Sequence, residues 1–202
     1  MSKSDVAIAD TGPLTFNGFC EIRWHGRGGQ GAITSANILA DAAYRAGFKG
    51  VTSAPSFGAE RRGAPVTAST RLSAEPLRIF SQVECPDVIV VLDESLLVTA
   101  RATTGMKPRG RVIVNSKRAP DALPVPEDFI VAAADASGAA EELGLIIGGA
   151  PMVNTAMLGA VARATGLIGL DDLDEAIRNA FSAKAAAKNF QAAKLTYERT
   201  RM

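Results

Sequence analysis

Gly26-Arg27-Gly28-Gly29-Gln30-Gly31 is the segment whose residue types and spacing point most directly to chemistry. Glycines at its first, third and sixth positions satisfy G-x-G-x-x-G. Such a loop lets backbone N–H groups approach a phosphate, and a helix that starts just beyond it adds partial positive charge. Arg27 adds a full charge. A nicotinamide dinucleotide site also wants an acidic residue about 20 positions later, at the end of the second strand. Here that region reads Lys49-Gly50-Val51-Thr52-Ser53-Ala54, and the next acid, Glu60, lies in a later loop. This counts against an independent NAD(P)-dependent dehydrogenase. The loop is not a P-loop either, because Lys-Ser/Thr does not follow Gly31. Three readings stay open: tight strand–helix packing, another phosphate-bearing ligand, or a loop placed beside a partner's cofactor.

A second charged loop carries Glu60-Arg61-Arg62 between Gly58 and Gly63. A solvated loop tip would have this composition. So would a docking loop, since the planar guanidinium fork pairs with carboxylate or phosphate. His25 directly precedes the glycine loop. No acid or nucleophile accompanies it in sequence, so it reads as a positioning or packing residue. Asn154, just after Pro151, reads as an N-cap or turn residue, and Trp24 as core or interface.

The elements around these residues follow from periodicity. Cys20 to His25 alternates as a strand, and Ala32 to Ala46 has helical spacing with Gly47 as its stop. Val51 to Ala54 reads as a short strand, and Pro55 to Val66 as a loop rich in Gly, Pro and charge. Val66 to Leu72 alternates again, and Leu77 to Phe80 is a candidate to pair with it in a hairpin at the sheet edge. Asp87 to Asp93 and Arg111 to Asn115 are continuous apolar runs, as expected of strands buried on both faces. Phe129 to Ala132 is a further strand. Helices are expected over Glu94 to Thr103, Ser137 to Leu143, Met152 to Thr165, Leu170 to Phe181 and Lys184 to Glu198. This alternation predicts an α/β fold, a doubly wound, mostly parallel, Rossmann-like sheet with a β-hairpin at one edge.

Composition removes other classes. Hydrophobic residues are 47% of 202 positions, enough for a core. A net charge of +1 and 5% aromatics give no reason to expect nucleic acid or an anionic membrane as partner. No stretch approaches the ~18 apolar residues of a membrane-spanning helix. The polar start of the chain lacks the pattern of a signal peptide. Two distant cysteines, Cys20 and Cys85, read as buried reduced thiols in a cytoplasmic protein; an iron–sulfur cluster needs about four thiolates. With one histidine, a structural zinc site is unsupported too.

Three segments in this order carry a resemblance. They are Trp24 to Ala32, Phe57 to Val66 with Thr70-Arg71 and Arg78 to Gln82 close behind, and Pro151-Met152-Val153-Asn154-Thr155-Ala156-Met157-Leu158-Gly159. Together they resemble the gamma subunit of the pyruvate:ferredoxin (2-oxoacid:acceptor) oxidoreductase family, from about Glu21 to Glu198. The resemblance implies residues 19–202 as one gamma domain; the polar, mixed segment 1–18 lies outside it and reads as a flexible N-terminal extension.

It also implies a division of labour. Thiamine diphosphate with Mg and [4Fe–4S] clusters would sit in partner subunits, which oxidatively decarboxylate a 2-oxoacid such as pyruvate or an aromatic one. Coenzyme A would take the acyl group, and ferredoxin or another acceptor protein the electrons. This chain would bear no catalytic residue and no metal. Gly26, Arg27, Gly28, Gly29, Gln30, Gly31, Arg61 and Arg62 are then the candidates to contact coenzyme A or a partner's cofactor. The alternative is a stand-alone nucleotide- or coenzyme A-binding regulatory module.

Overall fold

The computed structural model describes residues 12–55, 62–79 and 81–202. A six-stranded mixed sheet organises them. Its strands are β1 (Phe19–Arg27), β2 (Gly50–Pro55), β3 (Pro65–Ser73), β4 (Val88–Val91), β5 (Arg111–Asn115) and β6 (Ile130–Ala134). They lie in the order β2-β3-β1-β4-β5-β6. β1, β4, β5 and β6 are parallel, while β3 is antiparallel to both β1 and β2.

The parallel strands bury both faces. Val88, Val90, Ile113, Ala132 and Ala134 enter one core, and Ile89, Val91, Val112, Val114 and Ala133 the other. That explains why these strands read as unbroken apolar runs. The first core lies under α1 (Ala32–Arg45) and α4 (Val153–Thr165), with α5 (Leu170–Ala180) and α6 (Ala183–Arg199) packed outside them. The second is closed by α2 (Leu96–Thr99) and irregular chain around Ala102, Met106 and Leu123. On β1, Ile22 and Trp24 face the helices. Trp24 Nε1 donates to Thr70 Oγ1 at 3.1 Å, and that hydroxyl donates to the Ala36 carbonyl at 3.2 Å, joining β1, β3 and α1.

Several expectations need correction. The edge hairpin exists, but β2 is the partner of β3; residues 77–79 form no strand, and Phe80 lies outside the described residues. Gly50 explains the arrangement. A Cβ there would fall 2.1 Å from the Glu75 carbonyl oxygen and 2.8 Å from Leu77, so this segment crosses β2 as a close contact. The helix expected over Glu94 to Thr103 shrinks to α2, because the chain turns at Arg101, whose φ is +46°. From Gly12 onward the expected flexible extension packs on the core. Leu14 N–H donates to Thr165 O at 2.7 Å, Phe16 stacks on Phe48 at 6.3 Å, and buried Arg111 donates to Gly12 O. Residues 1–11 lie outside the described residues.

Cys20 is buried as expected, but Cys85 is exposed. α3 (Ala136–Glu142) forms near its expected place, capped by Asp135 Oδ1, which accepts from Gly138 N–H at 2.7 Å. A small hairpin was not anticipated: β7 (Ile146–Ile147) pairs antiparallel with β8 (Ala150–Pro151) across Gly148 and Gly149, both at positive φ. Two left-handed residues in a two-residue turn suit such hairpins, and glycine adopts them without steric cost.

Candidate functional site

β1 ends at Arg27, at the carboxyl edge of the parallel strands, and the glycine loop turns there into α1. Gly29 (φ +96°) and Gly31 (φ +79°) take left-handed conformations, and Gly31 caps α1. Gln30 turns back on the loop: its Oε1 accepts from Arg27 N–H at 2.7 Å, and its own N–H donates to Arg27 O at 2.9 Å. Gly31 is also a close-approach position, since a Cβ on it would lie 2.8 Å from Asn154 Nδ2. Ser35 Oγ donates to Gly31 O and to Asn154 O, both at 3.1 Å. Asn154 is thus the second residue of α4, buried against the loop. It does not cap the helix; Met152 holds that position.

The second charged loop joins β2 to β3, and the antiparallel pairing of β3 with β1 returns it to the same edge. Gly28 N–H donates to Ala64 O at 2.8 Å, and Gly63 N–H to Gly28 O at 3.1 Å. Arg62 therefore stands beside Gly28. Arg61 lies outside the described residues.

The two arginines differ in what they do. Arg27 is committed within the chain: Nε donates to Asp93 Oδ2 at 2.8 Å, Nη2 to Ser95 Oγ at 2.7 Å and Nη1 to Gly63 O at 3.1 Å. Burial works against the Asp93 charge, yet hydrogen bonds from Ser95 and Arg27 hold its carboxyl below the ordinary range. Arg62 is exposed and has no ion pair among the described residues.

These loops wall a cleft of about 530 Å³. Gly28, Gly29, Arg62, Asn115 and Ser137 line it together with the β7–β8 hairpin and Met152, and the Arg62 guanidinium lies close to Gly148 of that hairpin. Among the described residues no acidic side chain lines it, and Arg62 is the cation in its lining. Asn115 joins two strand ends to α3 in this lining: Nδ2 donates to Leu92 O (3.0 Å) and Ser137 Oγ (2.9 Å), and Oδ1 accepts from Ser137 N–H (3.2 Å). A second cavity of about 350 Å³ lies across the loop, lined by Arg27, Gly29, Ile33, Thr34 and Phe181 among others. Open α/β sheets gather ligands at this edge.

His25 faces elsewhere. It is buried on the opposite side of β1, and its Nε2 accepts from Arg23 Nε at 3.1 Å. Burial, with the Arg23 charge adding to it, pushes its pKa down to about 4. It stays neutral near pH 7 and serves packing. Burial pushes the Cys20 thiol up, so that thiol stays protonated. Among the described residues, no group of three or more His, Cys, Asp or Glu side chains could hold a metal, and no helix is long and apolar enough to cross a membrane.

Sequence reasoning missed Asp93, Ser95, Asn115 and the β7–β8 hairpin. Asp93 and Asn115 each close a buried apolar run, a position that lies at the carboxyl edge of a parallel strand. That was the available signal.

An α/β sheet with a glycine-loop cleft at its carboxyl edge defines a ligand-site architecture without fixing the ligand. Residues 21–199 match the pyruvate ferredoxin/flavodoxin oxidoreductase family. A relative from Pyrococcus furiosus, the pyruvate/ketoisovalerate oxidoreductases common subunit gamma, is 48% identical over 185 residues, which cover 89% of this chain and 96% of the relative. The pyruvate oxidoreductase subunit PORC of Thermotoga maritima superposes with a TM-score of 0.77 at 34% identity, covering 92% of this chain and 98% of that one. The 2-oxoglutarate:ferredoxin oxidoreductase of Magnetococcus marinus, solved with 2-oxoglutarate, coenzyme A and succinyl-CoA bound, shares the fold with a TM-score of 0.66. Its identity is 23%, and 91% of this chain covers 32% of that longer one. The chain belongs to the pyruvate ferredoxin/flavodoxin oxidoreductase family. Within it, the chain is a gamma subunit of the 2-oxoacid oxidoreductase complex.

Proposed function

We propose that this gamma subunit forms the coenzyme A side of the complex and carries no redox or thiamine cofactor itself. Partner subunits hold thiamine diphosphate with Mg, and ferredoxin-like subunits hold the [4Fe–4S] clusters. The complex converts a 2-oxoacid and coenzyme A to acyl-CoA, CO2, a proton and two electrons, which pass to ferredoxin or another acceptor. Thiamine diphosphate supplies the carbanion chemistry at the 2-oxo carbon. The name of the Pyrococcus furiosus relative, common to pyruvate and ketoisovalerate oxidoreductases, supports a gamma subunit that leaves the choice of 2-oxoacid to its partners. Two free cysteines fit a reducing cytoplasm.

One observation carries the reading: exposed Arg62 lines a 530 Å³ cleft that no acid lines among the described residues and that Gly28 and Gly29 border. An anion entering there meets a guanidinium that makes no ion pair among the described residues, and Gly29, which has no side chain, lets a phosphate come close to the loop backbone. Arg27 holds the loop, while Arg62, together with Arg61, takes the phosphates. Gln30 closes the turn that presents Gly28 and Gly29.

The test is Arg62→Ala in the assembled complex. Losing one charge-assisted contact costs about 1.5–3 kcal/mol, which raises the KM for coenzyme A roughly 10- to 150-fold. The KM for the 2-oxoacid and cluster reduction without coenzyme A stay near wild type. Unchanged coenzyme A kinetics in an intact complex would reject the reading. A fall in complex yield with every step depressed together would assign Arg62 to the subunit interface instead.

A further inference from the structure

We infer that Asp93 is a positioning residue: acting through Arg27, it fixes the loop that carries Arg62 at the wall of the cleft. The inference deepens the coenzyme A reading of that cleft and rests on it for its functional consequence.

The geometry forms one continuous path. Asp93 stands two residues beyond β4, the parallel neighbour of β1. Its two carboxylate oxygens have separate tasks. Oδ1 accepts from Ser95 N–H at 3.0 Å and from Ser95 Oγ; Oδ2 accepts from Arg27 Nε at 2.8 Å. Ser95 Oγ in turn accepts from Arg27 Nη2 at 2.7 Å. One edge of the planar guanidinium is therefore clamped by the Asp93–Ser95 pair. That clamp leaves Nη1 directed at the Gly63 carbonyl, 3.1 Å away. Gly63 and Ala64 then pair with both backbone groups of Gly28, and Arg62 is the next residue along.

A guanidinium released from Asp93 has many rotamers, and its bond to Gly63 O would then have to order the whole side chain. The ion pair is partly exposed, with Arg27 and Asp93 side chains at 31% and 24%. Its worth to global stability is correspondingly small. Its effect falls on the loop. Over residues 62–64, the backbone links of Gly63 and Ala64 outside the strands both go to Gly28. Because Asp93 neutralises Arg27, the charge that an entering anion meets belongs to Arg62. On the rival view, a released Arg27 adds a second cation to the cleft. The two views predict opposite signs, which makes the point testable.

The experiment compares wild-type, Asp93→Asn, Arg62→Ala and doubly substituted complexes. Asparagine keeps the size of the side chain and removes the charge. Hydrogen exchange over residues 62–64 and at Gly28 reads the latch without any ligand. Steady-state kinetics with pyruvate, coenzyme A and a dye acceptor read its consequence. Exchange in both segments should quicken in Asp93→Asn, and the KM for coenzyme A should rise about tenfold, the scale of one misplaced charge-assisted contact. The KM for pyruvate and coenzyme A-independent reduction should hold. The double variant should be no worse than Arg62→Ala alone, since both changes remove the same contact. Unaltered exchange in Asp93→Asn overturns the latch, whatever the kinetics. A coenzyme A KM that falls overturns it too, in favour of Arg27 as the contact. Quickened exchange with coenzyme A kinetics unchanged in both single variants rejects the coenzyme reading and leaves the latch standing.

Discussion

A Cβ on Gly159 would lie 1.8 Å from the carbonyl oxygen of Ala193, so the backbones of α4 and α6 are in direct contact at that point. Thr196 Oγ1 donates to Ala156 O one turn away and bonds the helices together there. Twelve of the thirteen residues of α4 are buried, and its small residues permit helices on several sides. α4 also begins at the cleft, with Met152 and Val153 in the lining. The packing of α6 thus bears on where the cleft wall stands.

Gly159→Ala should therefore destabilise the chain although alanine favours helix. Overpacking of this kind costs about 1–3 kcal/mol, occasionally more, and the obstacle here is backbone that cannot turn aside. Urea unfolding measures it. A midpoint equal to wild type would show that α4 and α6 can part without cost.

His25 gives the chain a pH dependence with a defined sign. The folded state holds its pKa down to about 4, against an ordinary value of 6.5. Between those values the unfolded chain takes up a proton that the folded chain refuses. Stability from this group is complete above pH 6.5 and falls as pH drops toward 4, by about 3 kcal/mol in total. Unfolding free energies of wild type and His25→Gln across pH 4 to 7.5 isolate the group. The difference between the two should shrink or reverse in acid, and parallel profiles would mean that His25 does not carry the dependence.

Gly31 combines two constraints, a φ of +79° and the Asn154 side chain where a Cβ would go. Gly31→Ala should cost about 1–3 kcal/mol from the left-handed conformation together with the clash. Adding Asn154→Ala should recover part of that loss, because it clears the space and leaves the backbone strain. Strict additivity of the two changes in thermal unfolding would show that they do not meet.

Much of this chain is written along its sequence. The strand before Gly26, the helix after Gly31 and the buried runs from Val88 and Arg111 were legible because each rests on a local period or a glycine signal. The glycine loop and the Arg62 loop were legible as separate segments of unusual composition, and their order with the Pro151 to Gly159 segment pointed to the family. Tertiary structure decided the rest. Only the antiparallel return of β3 along β1 sets Arg62 beside Gly28, because strand order depends on contacts among residues distant in sequence. Only that order lets Asp93, 66 positions away, claim Arg27 and so separate two arginines that look alike in sequence. Charge and residue type are local properties; whether a charge is already satisfied depends on which distant group the fold brings to it.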